Sequence, residues 1–140
     1  MSMNTVISRV CLIVLTVFGY FVGPWAYFAP LHWYNHFPGM GLSWVPVLGP
    51  YNEHFVKDVG AMFLALATLS AGAFFYLANR TLILVTAVSW TIFNLLHLIY
   101  HATMMHMYGT RDAILNGVIL SAVLVCSAML AIPIRSTARH

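Results

Sequence analysis

Hydrophobic positions fall in four long runs along this chain, and most polar positions sit between them. The first run, Val10 to about Leu31, is interrupted only by Thr16. The second follows Asn52 and lasts to about Ala78. The third covers Thr81 to Tyr100 and keeps a helical pattern to about Met107. The fourth lies between Asp112 and about Ile132, where Pro133 stops it. About twenty apolar residues rising ~1.5 Å each cross a ~30 Å hydrocarbon core, so each run predicts a transmembrane helix. The expected fold is all-α, a bundle of four transmembrane helices at about 10–31, 52–78, 81–107 and 112–132 of one membrane domain, residues 1–140.

The breaks between the runs carry their own signals. Arg9 before an apolar run also fits a signal peptide, but no small-x-small cleavage site follows, so the run reads as a retained helix. It closes with Gly23-Pro24-Trp25-Ala26-Tyr27-Phe28, an interfacial aromatic belt in which Pro24 kinks or ends the helix. His32 to Pro50 is punctuated by Pro38-Gly39, Gly41, Pro46 and Gly49-Pro50 and reads as a loop. Trp33, Tyr34, Phe37, Trp44, Val45 and Val47 make it too apolar for open water, so it is expected to lie half-buried across the bundle mouth as a lid. Asn35, His36 and Ser43 are available to satisfy its backbone. Asn52 is the expected cap of the second helix, and Asn79-Arg80 is a minimal turn. Gly60, Ala61, Ala65, Ala67, Ser70, Ala71, Gly72 and Ala73 give that helix small faces, which let membrane helices approach closely.

Composition agrees with a bilayer as the solvent. Apolar residues make up 61% of the 140, charged residues 6%, and mean hydropathy is +0.87. Nine formal charges cannot form the polar shell of a water-soluble domain. The six Lys and Arg are scattered singly, which excludes a nucleic-acid footprint. Cys11 and Cys126 lie inside apolar runs without metal or redox spacing and read as small packing side chains. Trp90, in the middle of the third run, reads as packing or lipid contact.

With four helices, Arg9, Arg80, Arg135 and Arg139 share one side, and Lys57 and Arg111 share the other. The positive-inside rule then puts both termini in the cytoplasm of a bacterial-type inner (plasma) membrane. The opposite, outer end collects all three acids, Glu53, Asp58 and Asp112. It also collects six of the seven histidines: His32, His36, His54, His97, His101 and His106.

Side chains four apart share a helix face, so His54 pairs with Asp58 and His97 with His101. If the second and third helices form an antiparallel hairpin, these pairs meet at similar depth. Two such pairs suit a divalent metal, copper or zinc, or a haem between helices. Met104, Met105 and Met107 lean toward copper, although methionine at helical spacing more often packs. Neither HExxH nor a paired ExxH motif occurs.

Two other readings stay open. Asp58 and Glu53 are candidates for general acid–base work beside His97, in a small redox or isomerising enzyme acting on an apolar substrate through Asp58, His54, His97 and His101. Alternatively the polar groups, with Asn52, Glu53, Asn94 and His106, form a structural network that fixes packing without a ligand. Arg111-Asp112 reads as a local cap of the fourth helix, and His32 and His36 as interfacial residues of an irregular loop. A homo-oligomer, or a place in a larger membrane complex or transporter, is the remaining alternative.

The run His36-Phe37-Pro38-Gly39, the segment Pro50-Tyr51-Asn52-Glu53-His54 through Asp58-Val59-Gly60, and His97-Leu98-Ile99-Tyr100-His101 carry a family likeness. From about Phe18 to His106 the chain resembles small bacterial four-helix membrane proteins, loosely DoxX-like in size and layout. The resemblance implies a four-helix membrane protein with a polar outer face. It brings no activity, substrate or cofactor with it.

Overall fold

The computed structural model describes residues 3–133, and the basic tail expected over Arg135 to His140 lies outside them. Four helices are long and apolar enough to cross a membrane: α1 (Met3–Phe28), α3 (Glu53–Phe75), α4 (Arg80–Met104) and α5 (Thr110–Met129). A short helix, α2 (Pro30–His36), follows α1, and a two-stranded hairpin, β1 (Pro38–Gly39) with β2 (Leu42–Ser43), follows α2. Brief 3₁₀ turns at Pro46–Leu48 and Met105–Met107 complete the order. The fold is all-α with four membrane-length helices, as the hydrophobic pattern predicts.

Local chemistry explains the helix boundaries. Asn52 caps α3 by accepting from the Phe55 amide at 3.3 Å, and Asn79 caps α4 by accepting from the Leu82 amide at 3.0 Å. Pro24 lies inside α1 and does not end it. The break falls at Ala29, ahead of Pro30, where the pre-proline residue is pushed out of helical geometry. Pro30 then starts α2 from its first turn, where a missing N–H costs nothing.

The small faces decide which helices pair. At Gly60 an added Cβ would lie 2.6 Å from the Tyr27 amide nitrogen, and at Gly19 one would lie 2.7 Å from Ala67 Cβ. Gly23 backs onto Gly60 and Leu64 in the same way. Gly19 and Gly23 are four apart on α1, the small-xxx-small spacing of close membrane helix pairs. Because this seam consumes the small face of α3, α3 packs chiefly on α1, while α4 packs chiefly on α5. The tightly joined α3–α4 hairpin expected from the short Asn79-Arg80 turn is therefore not the organising unit.

Polar bonds link the two layers sparingly. Buried Trp90 donates its indole N–H to Ser70 Oγ at 2.7 Å, joining α4 to α3. Within the α4–α5 pair, Thr91 and Asn94 reach Ser127 at 3.3 and 3.4 Å. At the end of the bundle away from the α1–α3 loop, Cys126 Sγ donates to the Cys11 carbonyl at 3.7 Å, and both thiols are free. Arg80 closes that end by donating to the carbonyls of Leu130 (3.0 Å) and Ala131 at the C-terminus of α5.

Candidate functional site

The region between α1 and α3 is a built cover. Met40 and Gly41, at φ 55° and 77°, form the two-residue left-handed turn that β1 and β2 need. Ser43 Oγ donates to the Asn35 carbonyl at 2.8 Å, Tyr34 OH to the Gly49 carbonyl at 2.7 Å, and the Trp44 amide to the Phe37 carbonyl at 2.9 Å. Trp25 Nε1 donates to His32 Nδ1 at 2.9 Å, which leaves the His32 proton on Nε2. His32 and His36 are not residues of an irregular loop, because α2 sets their rings 4.5 Å apart on one helical face.

Beneath this cover lies a cavity of about 490 Å³, within the ~300–1,000 Å³ range of small-molecule sites. Trp33, Phe37, Trp44, Val45 and Leu48 form its roof. Phe18, Phe21 and Val22 of α1 and Val59 and Phe63 of α3 form one side. On α4 the lining residues Phe93, Asn94, His97, Tyr100 and His101 recur at one-face spacing, as do Asn116, Ile119, Leu120 and Val123 on α5. The cavity is not sealed. Phe21 is 49% exposed and Ile119 38% exposed while both line it. A shallow apolar depression along Ile13, Val14 and Val17 of α1 shares Phe18 and Phe21 with it.

The polar groups of the cavity are few and ordered. Phe93 stacks on His97 at 5.3 Å between ring centres, and His97 meets His101 edge-on at 4.5 Å. Tyr108, in the turn after α4, stacks on His101 and brings its hydroxyl 3.5 Å from His101 Nδ1. Burial, with smaller contributions from Tyr100 and Asp112, pushes the Tyr108 hydroxyl up to about 12, so it stays protonated at neutral pH.

Three buried polar atoms of lining residues lack a hydrogen-bond partner: Trp33 Nε1, Trp44 Nε1 and Asn116 Oδ1. The fourth such atom among the described residues, Thr16 Oγ1, belongs to α1 outside the lining. An unmet buried donor or acceptor costs about 1–3 kcal/mol, and natural structures keep few of them. All three are packed within the wall and present no surface to the cavity.

The expected residues divide between this cavity and the surface. His97 and His101 line it; His54 and Asp58 do not. His54 Nε2 lies 3.4 Å from Asp58 Oδ2, but the two side chains are 79% and 63% exposed. The reason is helical phase: Val56, Gly60 and Phe63 face the bundle, and His54 and Asp58 each precede one of them by two residues, about 200° around the helix. Glu53 pairs with Lys57 at 2.8 Å on the same exposed turn, so neither candidate acid–base carboxylate reaches the cavity.

The expected copper, zinc or haem set is likewise divided. Among the described residues no three His, Cys, Asp or Glu side chains come together as a metal would require. Asn52 and Glu53 serve the α3 N-terminus, Asn94 is buried between α4 and α5, and His106 is exposed on the 3₁₀ turn. They do not join into one network.

Sequence reasoning missed Asn116, the two roof indoles as a pair, and Tyr108. Asn116 had a readable signal, since a lone amide deep in an apolar run is costly unless it serves packing or a ligand. The others become visible only once the cover is folded. Compared with family models, curated proteins and solved structures, the chain matches none, so the site is read from its own geometry.

Proposed function

We propose that this protein binds an apolar, membrane-soluble small molecule in the cavity between its helices, under the α1–α3 cover. The observation that carries the reading is the cavity itself: about 490 Å³, walled by aromatic and aliphatic side chains, with a few polar residues among them. The exposed rim at Phe21 and Ile119, continuous with the depression on α1, suits access from the acyl chains between α1 and α5. On the bias of Arg9, Arg80, Arg135 and Arg139 over Lys57 and Arg111, the covered end faces away from the cytoplasm in a bacterial-type plasma membrane.

A second reading, proton transfer on the bound molecule, is favoured by the line His97–His101–Tyr108 along the cavity. In it, His97 and His101 do the acid–base work without the exposed Asp58 and Glu53.

Detergent-purified protein extracted with organic solvent and analysed by mass spectrometry tests the first reading. Wild type should carry an apolar species that is lost in Leu120→Trp, a substitution that fills the wall while the protein stays folded. Absence of any such species, together with stoichiometric copper or zinc or a haem absorption band, would overturn it.

A further inference from the structure

We infer that His97 hydrogen-bonds the polar end of the bound molecule, so the cavity takes an amphiphile, one hydrogen-bonding group on an apolar body, in preference to a plain hydrocarbon. The inference rests on the cavity-binding reading and names its contact residue and ligand class. Two observations carry it. First, helical phase centres His97 on the cavity. At about 100° per residue, the lining residues Phe93 and His101 lie about 40° to either side of it, and Asn94 and Tyr100 about 60°. The exposed apolar residues Leu95, Leu96 and Ile99 fall about 100° or more away, on the outside of the helix.

Second, the His97 imidazole is an open polar group at that point. It stacks on Phe93 at 5.3 Å and meets His101 edge-on at 4.5 Å between ring centres, and among the described residues it has no hydrogen-bond partner. The occluded polar atoms without a partner belong to Thr16, Trp33, Trp44 and Asn116, so both ring nitrogens of His97 still present surface. His101 beside it has one nitrogen turned to the Tyr108 hydroxyl at 3.5 Å.

An ionisable side chain within a membrane-length helix is costly and marks a functional position. With no polar partner in the protein, the imidazole is answered by what enters the cavity. Neutral imidazole donates at one nitrogen and accepts at the other, so a hydroxyl or a carbonyl answers it and a hydrocarbon does not.

The test uses three probes with closely similar tails: farnesol, methyl farnesoate and farnesene. Each is titrated into the detergent-solubilised full chain, with binding read by tryptophan fluorescence and by nitrogen NMR of the imidazoles, in which His97 is assigned by its loss in His97→Gln. Farnesol and methyl farnesoate should bind about tenfold more tightly than farnesene, the effect of one buried hydrogen bond, and should move the His97 signals.

His97→Phe, which keeps a flat ring against Phe93, should bring both polar probes down to farnesene while leaving farnesene binding unchanged. His97→Gln, which restores a donor and an acceptor, should recover part of the preference. The wild-type signals test the contact directly if His97→Phe fails to fold. Equal binding of all three probes, abolished by Leu120→Trp, or signal changes confined to other histidines, overturns the role of His97 and leaves the cavity site standing. Binding of no probe, or binding indifferent to Leu120→Trp, overturns both.

Discussion

Trp90 donates its indole N–H to Ser70 Oγ across 2.7 Å, at a point where both residues are fully buried between α4 and α3. Ser70 passes its own proton to the Leu66 carbonyl at 2.9 Å, so every polar atom at this contact is satisfied. Phe63 and Phe93 pack around the same indole at 6.1 and 6.3 Å between ring centres, and both line the cavity. The bond therefore holds the cavity floor between two layers that otherwise touch little. Trp90→Phe keeps most of the packing and should lower stability by about 1 kcal/mol, measured as unfolding in detergent. In a double-mutant cycle with Ser70→Ala the two losses should be clearly non-additive.

The α1–α3 seam permits a controlled comparison on one helix. A Cβ at Gly60 would meet the Tyr27 backbone at 2.6 Å, whereas one at Gly72 has nothing within 4 Å. Gly60→Ala should destabilise by roughly 1–3 kcal/mol, because backbone must shift to admit the methyl. Gly72→Ala should be neutral or stabilise by up to about 1 kcal/mol through helix propensity. Equal effects at the two positions would show that close packing on α1 does not set the seam.

Arg80 and Lys57 are both cations at helix starts, with opposite expected importance. Arg80 supplies two hydrogen bonds to carbonyls that the end of α5 leaves open, at Leu130 and Ala131. Arg80→Ala should cost about 1–3 kcal/mol, and Arg80→Lys should recover only part of it because the planar fork is lost. Lys57 makes an exposed pair with Glu53 on its own helix, so Lys57→Ala should leave Tm nearly unchanged.

Tyr108 links the turn after α4 to the cavity and reports on it through pH. Its hydroxyl, raised from 10.0 to about 12 chiefly by burial, keeps its proton in the folded chain after it would ionise in the unfolded one. The stability it contributes is complete below about pH 10 and is lost as pH rises through about 12. The phenolate difference spectrum between wild type and Tyr108→Phe should show its transition well above the ordinary tyrosine range near ~10. The variant should also lose less Tm than wild type between about pH 9 and 11, on either side of the ordinary tyrosine value near ~10.

The four apolar runs were sufficient to specify four membrane-length helices, because a backbone in lipid must satisfy its own hydrogen bonds and only length and hydropathy are needed to see that. Asn52 as a cap, Asn79-Arg80 as a turn, and an aromatic cover over the bundle mouth followed from local chemistry, whereas the capping of α4 by Asn79 emerged with the structure. Helix partnership was a different matter. The glycines at 19, 23 and 60 fit one another across two helices distant in sequence, and that match drew α3 onto α1 and away from the face that α4 was expected to meet.

Once α3 turned that way, His54 and Asp58 went to the surface, and His97 and His101 were left to line an apolar cavity beneath Trp33 and Trp44. Spacing along one helix tells which side chains share a face. Which way that face points is settled by packing against other helices, and only the tertiary structure decided it.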